Sequence, residues 1–390
     1  MSTACPACSG PDLRTFYTVG RVPAASCLML DDEASARAFP AGELRLAACE
    51  TCGFVTNTAF DPALTRYEDD YEESQGCSPR FREYAAGLAG DWVRRHGLAG
   101  GTVVELGCGK GDFLAALIDA GVGHGVGVDP AVRPERVDPA LGARATWIRG
   151  LFPESLPAID ADAVVCRHTL EHIAPVGDWL RSIRAAIGPR TGTVVLFELP
   201  DVLRVLREGA FWDVYYEHCS YFSPGSLAAL FRRCGFEPLD VRRTYDDQYL
   251  VIEARPAAGD PPDAAAADRD DVLAAADAFV ARMDESIAHW RDRVRKVAEN
   301  GGRVLLWGAS SKAVAFLATL GDDARHVAAA VDINPYKQDR HLAGSGHRVV
   351  APDAVPGLAP DLVVAMNPTY AAEIGRDLDA RGVRTVLETL

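Results

Sequence analysis

The chain of 390 residues is long enough for two or three domains, each with its own hydrophobic core. Hydrophobic residues make up 48% of it and charged residues 24%, which is typical of a globular protein. The formal net charge of -15 argues against nucleic acid or an anionic membrane as the main partner, because both require a basic surface. With no signal-like N-terminus and no apolar run of roughly 18 residues, we expect a cytoplasmic protein.

The first predicted unit is a small metal-binding module, which we assign to residues 1–75. It contains two C-x-x-C pairs, formed by Cys5 with Cys8 and by Cys49 with Cys52. Four thiolates arranged in this way can close a tetrahedral structural Zn²⁺ site, and the residues between the pairs should form a small sheet. Two redox pairs or free thiols are the alternative interpretation.

The second predicted domain, residues 76–258, opens with a nucleotide-binding pattern. The apolar run TVVEL at 102–106 predicts a buried parallel strand, and the turn G-C-G-K-G-D and an amphipathic helix follow it. The next strand, GVGV, ends at Asp129, where a carboxylate can accept hydrogen bonds from the hydroxyls of a ribose. The spacing G-x-G-x-G, preceded by an acid at Glu105, differs from the dinucleotide fingerprint G-x-G-x-x-G.

The stretch E-L-G-C-G-K-G resembles motif I of class I methyltransferases. The resemblance implies S-adenosylmethionine as the cofactor, with Asp129 at its ribose. It also implies that the methionine part of the cofactor lies against Glu105 and the glycine turn, Gly107, Gly109 and Gly111. A dehydrogenase or an inert Rossmann-like fold is the alternative.

Two further strands are predicted at 160–168 and 193–200, and their carboxyl ends should line the ligand cleft. His168 and His172, four residues apart, are expected to share a helix face. They form the pattern H-x-x-E-H with Glu171, which needs further ligands to hold a metal. We therefore favour a loop that lines the methionine end of the cofactor, with His168 among its contacts.

The segment 211–223, FWDVYYEHCSYFS, is dense in chemically capable side chains. Its histidine, His218, titrates near neutrality and can act as a general base. A neighbouring carboxylate can orient that histidine, and tyrosine hydroxyls can donate to a developing oxyanion. A buried aromatic cluster with one hydrogen-bonded histidine explains the same composition without any chemistry.

The third predicted domain, residues 259–390, begins within a linker at 256–270 that is rich in Pro, Ala, Gly and Asp. A helix is predicted from about 270 to 299, followed by strands in GRVLLWGAS, VAAAVDINP and DLVVAMNP. This order indicates a second Rossmann-like unit. Its helix-terminal Ser310-Ser311-Lys312 can bind a phosphate, although a scaffolding role is equally compatible with the pattern.

The stretch YYEHCSYFS is similar to the YHEHxSYxS stretch of sugar C-methyltransferases, which methylate nucleotide-linked keto-deoxysugars. Those enzymes also carry an N-terminal four-cysteine zinc module and a C-terminal α/β domain, whose signature here is VLLWGASSKAVAFL and DINPYKQDRH. The resemblance implies an α/β fold in three parts. These are a zinc-binding module, a central class I methyltransferase Rossmann-like domain and a second Rossmann-like α/β domain.

The same resemblance implies roles for individual residues, which we state as expectations. The expected catalytic residues are His218 as general base, Glu217, Tyr215, His168 and Tyr71, with Tyr67 as the second choice for Tyr71. The C-terminal domain would hold the nucleotide of the substrate through Lys312, Asn334, Tyr336 and Lys337. Tyr216 stands where the family has a histidine, and G-C-G-K-G replaces the frequent G-C-N-D-G, so the substrate is less certain than the reaction type.

The expected reaction is methylation of a carbon next to a ketone of a small molecule, most plausibly a nucleotide-linked keto-deoxysugar. His218 would remove the α-proton to give an enolate, and Tyr215 and Glu217 would position the base or stabilise the enolate. Two alternatives stay open: an O- or N-methyltransferase acting on another polar metabolite, and a cofactor-binding scaffold without activity. The atom that receives the methyl group separates the first alternative from the expected reaction.

Overall fold

The computed structural model describes residues 4–65, 67, 71–136, 139–259 and 266–390. Within these residues the chain forms a four-stranded, a seven-stranded and a five-stranded sheet, and one pair of short strands. The predicted linker at 256–270 and the tyrosine-rich stretch at 65–81 lie partly outside the described residues. Among the helices described, none is long and apolar enough to cross a membrane.

The N-terminal part is a small antiparallel sheet. Its elements are β1 (Leu13–Pro23), β2 (Met29–Leu30), α1 (Glu33–Arg37), β3 (Ala41–Cys49) and β4 (Val55–Asn57). Strands β1 and β3 pair antiparallel, as expected for the residues between the two cysteine pairs. Alternate residues of β3, Leu44 and Leu46 among them, are buried in a core shared with the C-terminal part, because successive side chains of a strand point to opposite faces.

The central part is a doubly wound α/β sheet. Its elements are α2 (Pro79–His96), β5 (Thr102–Leu106), α3 (Asp112–Asp119), β6 (His124–Val128), β7 (Ala145–Ile148), β8 (Ala163–Arg167), α4 (Val176–Ile187), β9 (Val194–Pro200), α5 (Val202–Glu208), β10 (Ser220–Tyr221), α6 (Pro224–Arg233), β11 (Phe236–Thr244) and β12 (Tyr249–Pro256).

The seven strands of the central sheet run in the order β11-β12-β9-β8-β5-β6-β7. The five from β9 to β7 are parallel, and β12 and β11 close one edge antiparallel. Because β5 lies between β6 and β8, the strand order reverses at β5, and such a switch point leaves a crevice at the carboxyl ends of the strands. The glycine turn follows β5 directly and therefore lies in this crevice.

The C-terminal part is a second parallel sheet behind a long helix. Its elements are α7 (Arg269–Glu299), β13 (Val304–Trp307), α8 (Ser311–Leu320), β14 (Val327–Val331), β15 (His341–Leu342), β16 (Val349–Val350), α9 (Val355–Leu358), β17 (Leu362–Ala365), α10 (Ala371–Ala380) and β18 (Val386–Thr389). The strand order is β16-β14-β13-β17-β18, and all the pairs are parallel.

The three parts share strands, so the predicted limits at residues 75 and 258 do not separate three independent sheets. Strand β10, from the central part, pairs with β4 and completes the N-terminal sheet. Strand β15, from the C-terminal part, pairs with β2. These pairings bring side chains that are distant in sequence to the edge of the central crevice.

The predicted elements of the central and C-terminal parts form close to their expected positions, with one wrong detail. His168 and His172 do not share a helix face. His168 follows β8 in a left-handed conformation (φ 48°), and Leu170–His172 is a single 3-10 turn. Because 3-10 turns are short connectors, the four-residue spacing here does not carry the α-helical geometry that the expectation assumed.

Candidate active site

A cavity of about 470 Å³ lies between the central seven-stranded sheet and the C-terminal five-stranded sheet. The last residues of β5, β6, β8 and β9 line it from one side, and Trp307 of β13 and Met366 after β17 line it from the other. Both sheets therefore present their carboxyl ends, which bind ligands in α/β folds, to one space. The N-terminal part adds Cys27, Tyr67 and Tyr71 to the wall.

The glycine turn after β5 has no room for side chains. Gly107 has a φ of 72°, and a Cβ there would lie 2.0 Å from Thr169 Oγ1. A Cβ at Gly109, with a φ of 51°, would lie 2.4 Å from Glu73 Oε1. Gly111, which caps α3, also has a positive φ, 86°. The bare backbone of this turn can approach a ligand closely.

Two carboxylates flank the turn. Asp129 accepts hydrogen bonds from the backbone N–H groups of Gly109 (2.9 Å) and Ala131 (2.7 Å), which orient it at the end of β6. Glu105 is 2% exposed, and its Oε2 has no hydrogen-bond partner among the residues described. Burial raises the pKa of Glu105 to about 8. A buried carboxylate with an unpartnered oxygen, and an acid oriented by backbone N–H groups at the end of a strand, fit a cofactor that carries an ammonium group and ribose hydroxyls.

His168 is a cation in this cavity. Its Nε2 lies 2.9 Å from Glu198 Oε1, and its Nδ1 lies 3.5 Å from Glu171 Oε1. Burial opposes the charge, but the hydrogen bonds and charges of Glu171 and Glu198 raise the pKa of His168 to about 9. Because it holds its proton at neutral pH, His168 is suited to binding an anionic or polar group rather than to accepting a proton.

His218 has the opposite character. Its Nε2 lies 2.8 Å from the Tyr215 hydroxyl, and it is 5% exposed. Burial, followed by the positive charges of His172, His168 and Lys312, holds the pKa of His218 well below its usual range. The imidazole is therefore neutral at pH 7 and able to accept a proton.

Three tyrosines line the cavity at the end where His172 and His218 lie, and all are held as neutral phenols. Burial raises the pKa of Tyr215 well above its usual range, and burial together with the charge of Glu217 does the same for Tyr67 and Tyr71. The Tyr67 hydroxyl lies 3.0 Å from His172 Nδ1, and its ring packs edge-on against Tyr71 at 5.2 Å. Protonated phenols can donate hydrogen bonds to a substrate oxygen.

Glu217 lies behind the cavity wall. One of its oxygens accepts from the backbone N–H of Ser26 at 2.7 Å and also from the Ser26 hydroxyl. Burial raises the pKa of Glu217, and the charge of His172 opposes this. The residue expected to orient His218 is thus held by the N-terminal part instead, on the side of Tyr71.

The four predicted nucleotide-binding residues divide into two groups. Lys312 and Lys337 line the cavity beside Ser310 and Ser311 at the start of α8. Lys312 Nζ lies 2.5 Å from Asp213 Oδ1, and Lys337 Nζ lies 3.5 Å from Asp332 Oδ2 and donates to the Ser310 hydroxyl. Each of these two ammonium groups is paired with a carboxylate, and the adjoining N-terminus of α8, where a helix leaves backbone N–H groups unpaired, makes this the positive end of the cavity.

Asn334 and Tyr336 make contacts between the parts of the chain. Asn334 lines the cavity and donates from Nδ2 to Glu72 Oε1 at 2.9 Å. Tyr336 is 56% exposed and stacks on the Arg136 guanidinium, whose carbon lies 3.7 Å from the ring centroid. Since Arg136 also binds Glu72, at 2.7 Å, these residues join the loop after β6 to the C-terminal part.

The four paired cysteines converge in the N-terminal part. Cys5 Sγ lies 3.8 Å from Cys52 Sγ, and Cys8 Sγ lies 3.6 Å from Cys49 Sγ. The four sulfur atoms all lie within 4.8 Å of one another. A tetrahedral Zn²⁺ with Zn–S bonds of about 2.3 Å requires sulfur atoms about 3.8 Å apart, so this donor set fits the ion.

The chain matches two family models in sequence. Residues 81–241 match a methyltransferase domain, and residues 265–386 match a C-methyltransferase C-terminal domain. The chain is also 27% identical over 394 residues to the C-methyltransferase NovU of Streptomyces niveus, an alignment that covers 95% of this chain and 90% of the relative. These matches identify an S-adenosylmethionine-dependent methyltransferase. The second model and the relative identify it more narrowly as a C-methyltransferase.

Solved methyltransferase structures resemble parts of this methyltransferase. One is the 1,6-didemethyltoxoflavin N1-methyltransferase of Burkholderia thailandensis, 22% identical, covering 45% of this chain and 79% of that chain with a TM-score of 0.37. Another is the dimethyltransferase RosA of Streptomyces davawensis, 24% identical, covering 45% of this chain and 55% of that chain with a TM-score of 0.37.

The methyltransferase site contains two residues that sequence reasoning did not select. His172 faces His218 with ring centroids 4.8 Å apart, whereas His168, the residue selected, is held by Glu198. The pattern H-x-x-E-H contains His172, but the pattern does not tell which of its two histidines faces His218. Ser26 has no sequence signal of its own, because its role depends on Glu217, which is 191 positions away.

Proposed function

We propose that this methyltransferase acts on the carbon next to a ketone in a nucleotide-linked keto-deoxysugar, through an enolate. The observation that carries the proposal is the cavity itself, because the glycine turn, the neutral His218–Tyr215 pair and the positive end at Lys312 and Lys337 all face it. One space can therefore hold a methyl donor, a carbon acid and an anionic group together.

The bound S-adenosylmethionine supplies an electrophilic methyl group on a sulfonium, which is a good leaving group. The protein's task is to make and position the carbon nucleophile. In the proposal, the Nε2–H of neutral His218 donates to the Tyr215 hydroxyl, 2.8 Å away, so that Nδ1 takes the α-proton and the hydroxyl proton is donated toward the developing enolate oxygen. Glu105, Asp129 and the glycine turn hold the cofactor, and the cationic His168 lies between the two reactants.

The positive end of the cavity supports an anionic substrate. Lys312 and Lys337 lie there with Ser310 and Ser311, and the first turn of α8 adds its backbone dipole. A diphosphate is the group that such an arrangement binds best. We therefore propose that the nucleotide of the substrate lies against the C-terminal sheet, and its sugar lies beside His218.

We also propose that Cys5, Cys8, Cys49 and Cys52 hold one structural Zn²⁺. Four thiolates leave no open coordination position, so the ion would have no part in the chemistry. Its function would be to hold the turn between β3 and β4, because β4 pairs with β10, which directly follows the segment 215–218.

The test of the proposed function is the fate of the α-proton and the position of the methyl group. The zinc-loaded enzyme should methylate a thymidine-diphosphate-linked keto-deoxysugar on carbon, which NMR of the product detects. It should also exchange the α-proton for deuterium in heavy water when S-adenosylhomocysteine replaces the methyl donor.

His218→Ala should slow methylation by about 10²–10⁴-fold, because it removes the general base, and should abolish the deuterium exchange. The affinity for S-adenosylhomocysteine should stay within about twofold of the wild-type value. A methyl group on oxygen or nitrogen would contradict the enolate and favour the O- or N-methyltransferase. A normal rate in the variant would remove His218 from the mechanism.

A further inference from the structure

Glu171 is a buried acid that helps to keep His168 charged and to which the proposed step gives no further role. It is 2% exposed, lines the cavity, and belongs to the 3-10 turn Leu170–His172. Neither of its carboxylate oxygens has a hydrogen-bond donor within the described parts of the chain. Its ion partner His168 is 3.5 Å away at Nδ1, which is long for a hydrogen bond. Burying such a group is unfavourable unless it interacts with positive charge.

Two histidines lie beside this carboxylate. A carboxylate oxygen of Glu171 and a ring nitrogen from each of His172 and His218 all lie within 4.8 Å of one another. The rings of His172 and His218 meet edge to face, with an interplanar angle of 84°. Tyr67 and Tyr215 each engage one nitrogen of these rings, so each ring keeps its second nitrogen for another partner.

The position of Glu217 strengthens the case for Glu171. Glu217 was expected to orient the base, but it accepts two hydrogen bonds from Ser26 and does not line the cavity. The charged and titratable groups around His172 and His218 come from several elements, and they are Glu171, His168, Lys312, Glu217, Tyr67, Tyr71 and Tyr215. Two of them, His168 and Lys312, are cationic, and Glu171 is the carboxylate on the cavity side.

We propose that Glu171 is a positioning residue that stabilises the proton which His218 takes from the substrate. The inference rests on the proposed function. In the step, the α C–H bond breaks, its proton forms an N–H bond on His218, and its electron pair enters the enolate. That pair would then form the new bond to the methyl carbon while the methyl–sulfur bond breaks and leaves its electron pair on the sulfur of S-adenosylhomocysteine, and the proton would leave to water after transfer. The carboxylate of Glu171 neutralises the imidazolium of the His172–His218 pair while the enolate exists, which offsets the repulsion from His168 and Lys312.

Histidine ¹⁵N NMR of the zinc-loaded protein with S-adenosylhomocysteine tests the electrostatic part without any substrate. Glu171→Gln keeps the side-chain shape and removes the charge, so the protonation midpoint of the His172–His218 pair should fall by about one to two pH units. Glu171→Asp should restore most of the shift. The matched control is Glu253→Gln, which removes another buried carboxylate, 2.9 Å from His96 Nε2 on the far side of the central sheet. It should move the signal of His96 alone.

Kinetics tests the catalytic part. Glu171→Gln should lower kcat by about 10–100-fold with little change in KM, and the acidic limb of the kcat profile should move to lower pH, because the base loses its proton more readily without the carboxylate. Glu253→Gln should keep wild-type kcat. Normal thermal unfolding and normal S-adenosylhomocysteine affinity of Glu171→Gln exclude a folding defect as the cause.

An unchanged histidine midpoint or a wild-type kcat in Glu171→Gln would overturn the inference. So would a second metal ion per chain, beyond the four-cysteine site, that Glu171→Gln loses, since these three side chains would then be metal ligands. The two proposals fail differently. If His218→Ala is inactive while Glu171→Gln is normal, only this inference fails. If His218→Ala methylates normally, the general base itself is wrong.

Discussion

The proposed cofactor end and the proposed proton-transfer end of the cavity differ in how far apart their residues lie along the chain. Glu105, the glycine turn and Asp129 occupy two adjacent parallel strands and the turn between them. The proton-transfer end gathers Tyr67 and Tyr71, the turn at 170–172, the segment at 215–218 and Lys312 of the C-terminal part. The first end is one supersecondary unit, and the second exists only when all three parts of the chain are docked.

Cofactor binding and proton transfer should therefore depend on different sets of contacts. The cofactor end depends on hydrogen bonds inside the central sheet, such as that from Gly109 N–H to Asp129. The proton-transfer end depends on contacts between parts, including Ser26 with Glu217 and the pairing of β10 with β4. Substitutions in the N-terminal part should therefore lower the turnover rate and leave cofactor affinity nearly unchanged. Substitutions at the glycine turn and Asp129 should act first on cofactor affinity.

The largest effect is expected from Cys49→Ser. Loss of one thiolate should release the zinc, so elemental analysis should fall from about one zinc per chain to near zero. Methylation should fall by at least about 10²-fold, because β4, which pairs with β10 beside the segment 215–218, loses its anchor, while calorimetry should show nearly unchanged S-adenosylhomocysteine binding. Cys234→Ser, at a buried cysteine outside the cluster, is the control and should keep its zinc. Retained zinc in Cys49→Ser would refute the site.

Asp129→Ala is expected to weaken cofactor binding and to leave the zinc site intact. It removes an acceptor for the cofactor's ribose, so S-adenosylhomocysteine should bind more weakly by roughly 1.5–3 kcal/mol, the scale of hydrogen bonds to a charged group. Zinc content and histidine titration should stay as in the wild type. Asp119→Ala, at the exposed end of α3, is the control. Unchanged affinity in the Asp129 variant would take this residue out of the cofactor site.

The smallest effect concerns pH and His168. The pKa of His168 is raised to about 9 in the folded protein, against about 6.5 when unfolded. Its contribution to stability is therefore fully present below about pH 6.5 and is lost as the pH rises through about 9, with a size of roughly 2 kcal/mol. Denaturation at pH 6 and pH 9.5 should show the stability gap between wild type and His168→Gln closing at the higher pH. A gap that is the same at both values would mean that the histidine is not charged.

Much of the cofactor end could be predicted from residues 102–129, since a strand, a turn and a second strand are local features. Of the five residues in that stretch that were predicted to bind the cofactor, Glu105, Gly107, Gly109 and Asp129 line the cavity, and Gly111 is the N-cap of α3. The pattern H-x-x-E-H was harder to interpret. Its spacing suggested a helix face, whereas His168 follows a strand with a φ of 48°, so the two histidines diverge.

The sequence by itself determined the periodic strands, the glycine turn, the two cysteine pairs and the presence of a histidine among tyrosines at 215–218. These features depend on neighbouring residues, because backbone conformation and hydrophobic alternation are local. Only the tertiary structure decided which acid accompanies which histidine. Ser26 holds Glu217 behind the wall, and the turn at 170–172 places Glu171 beside His172 and His218. Such choices depend on how the three sheets dock, and docking is set by long-range packing that no short stretch of sequence contains.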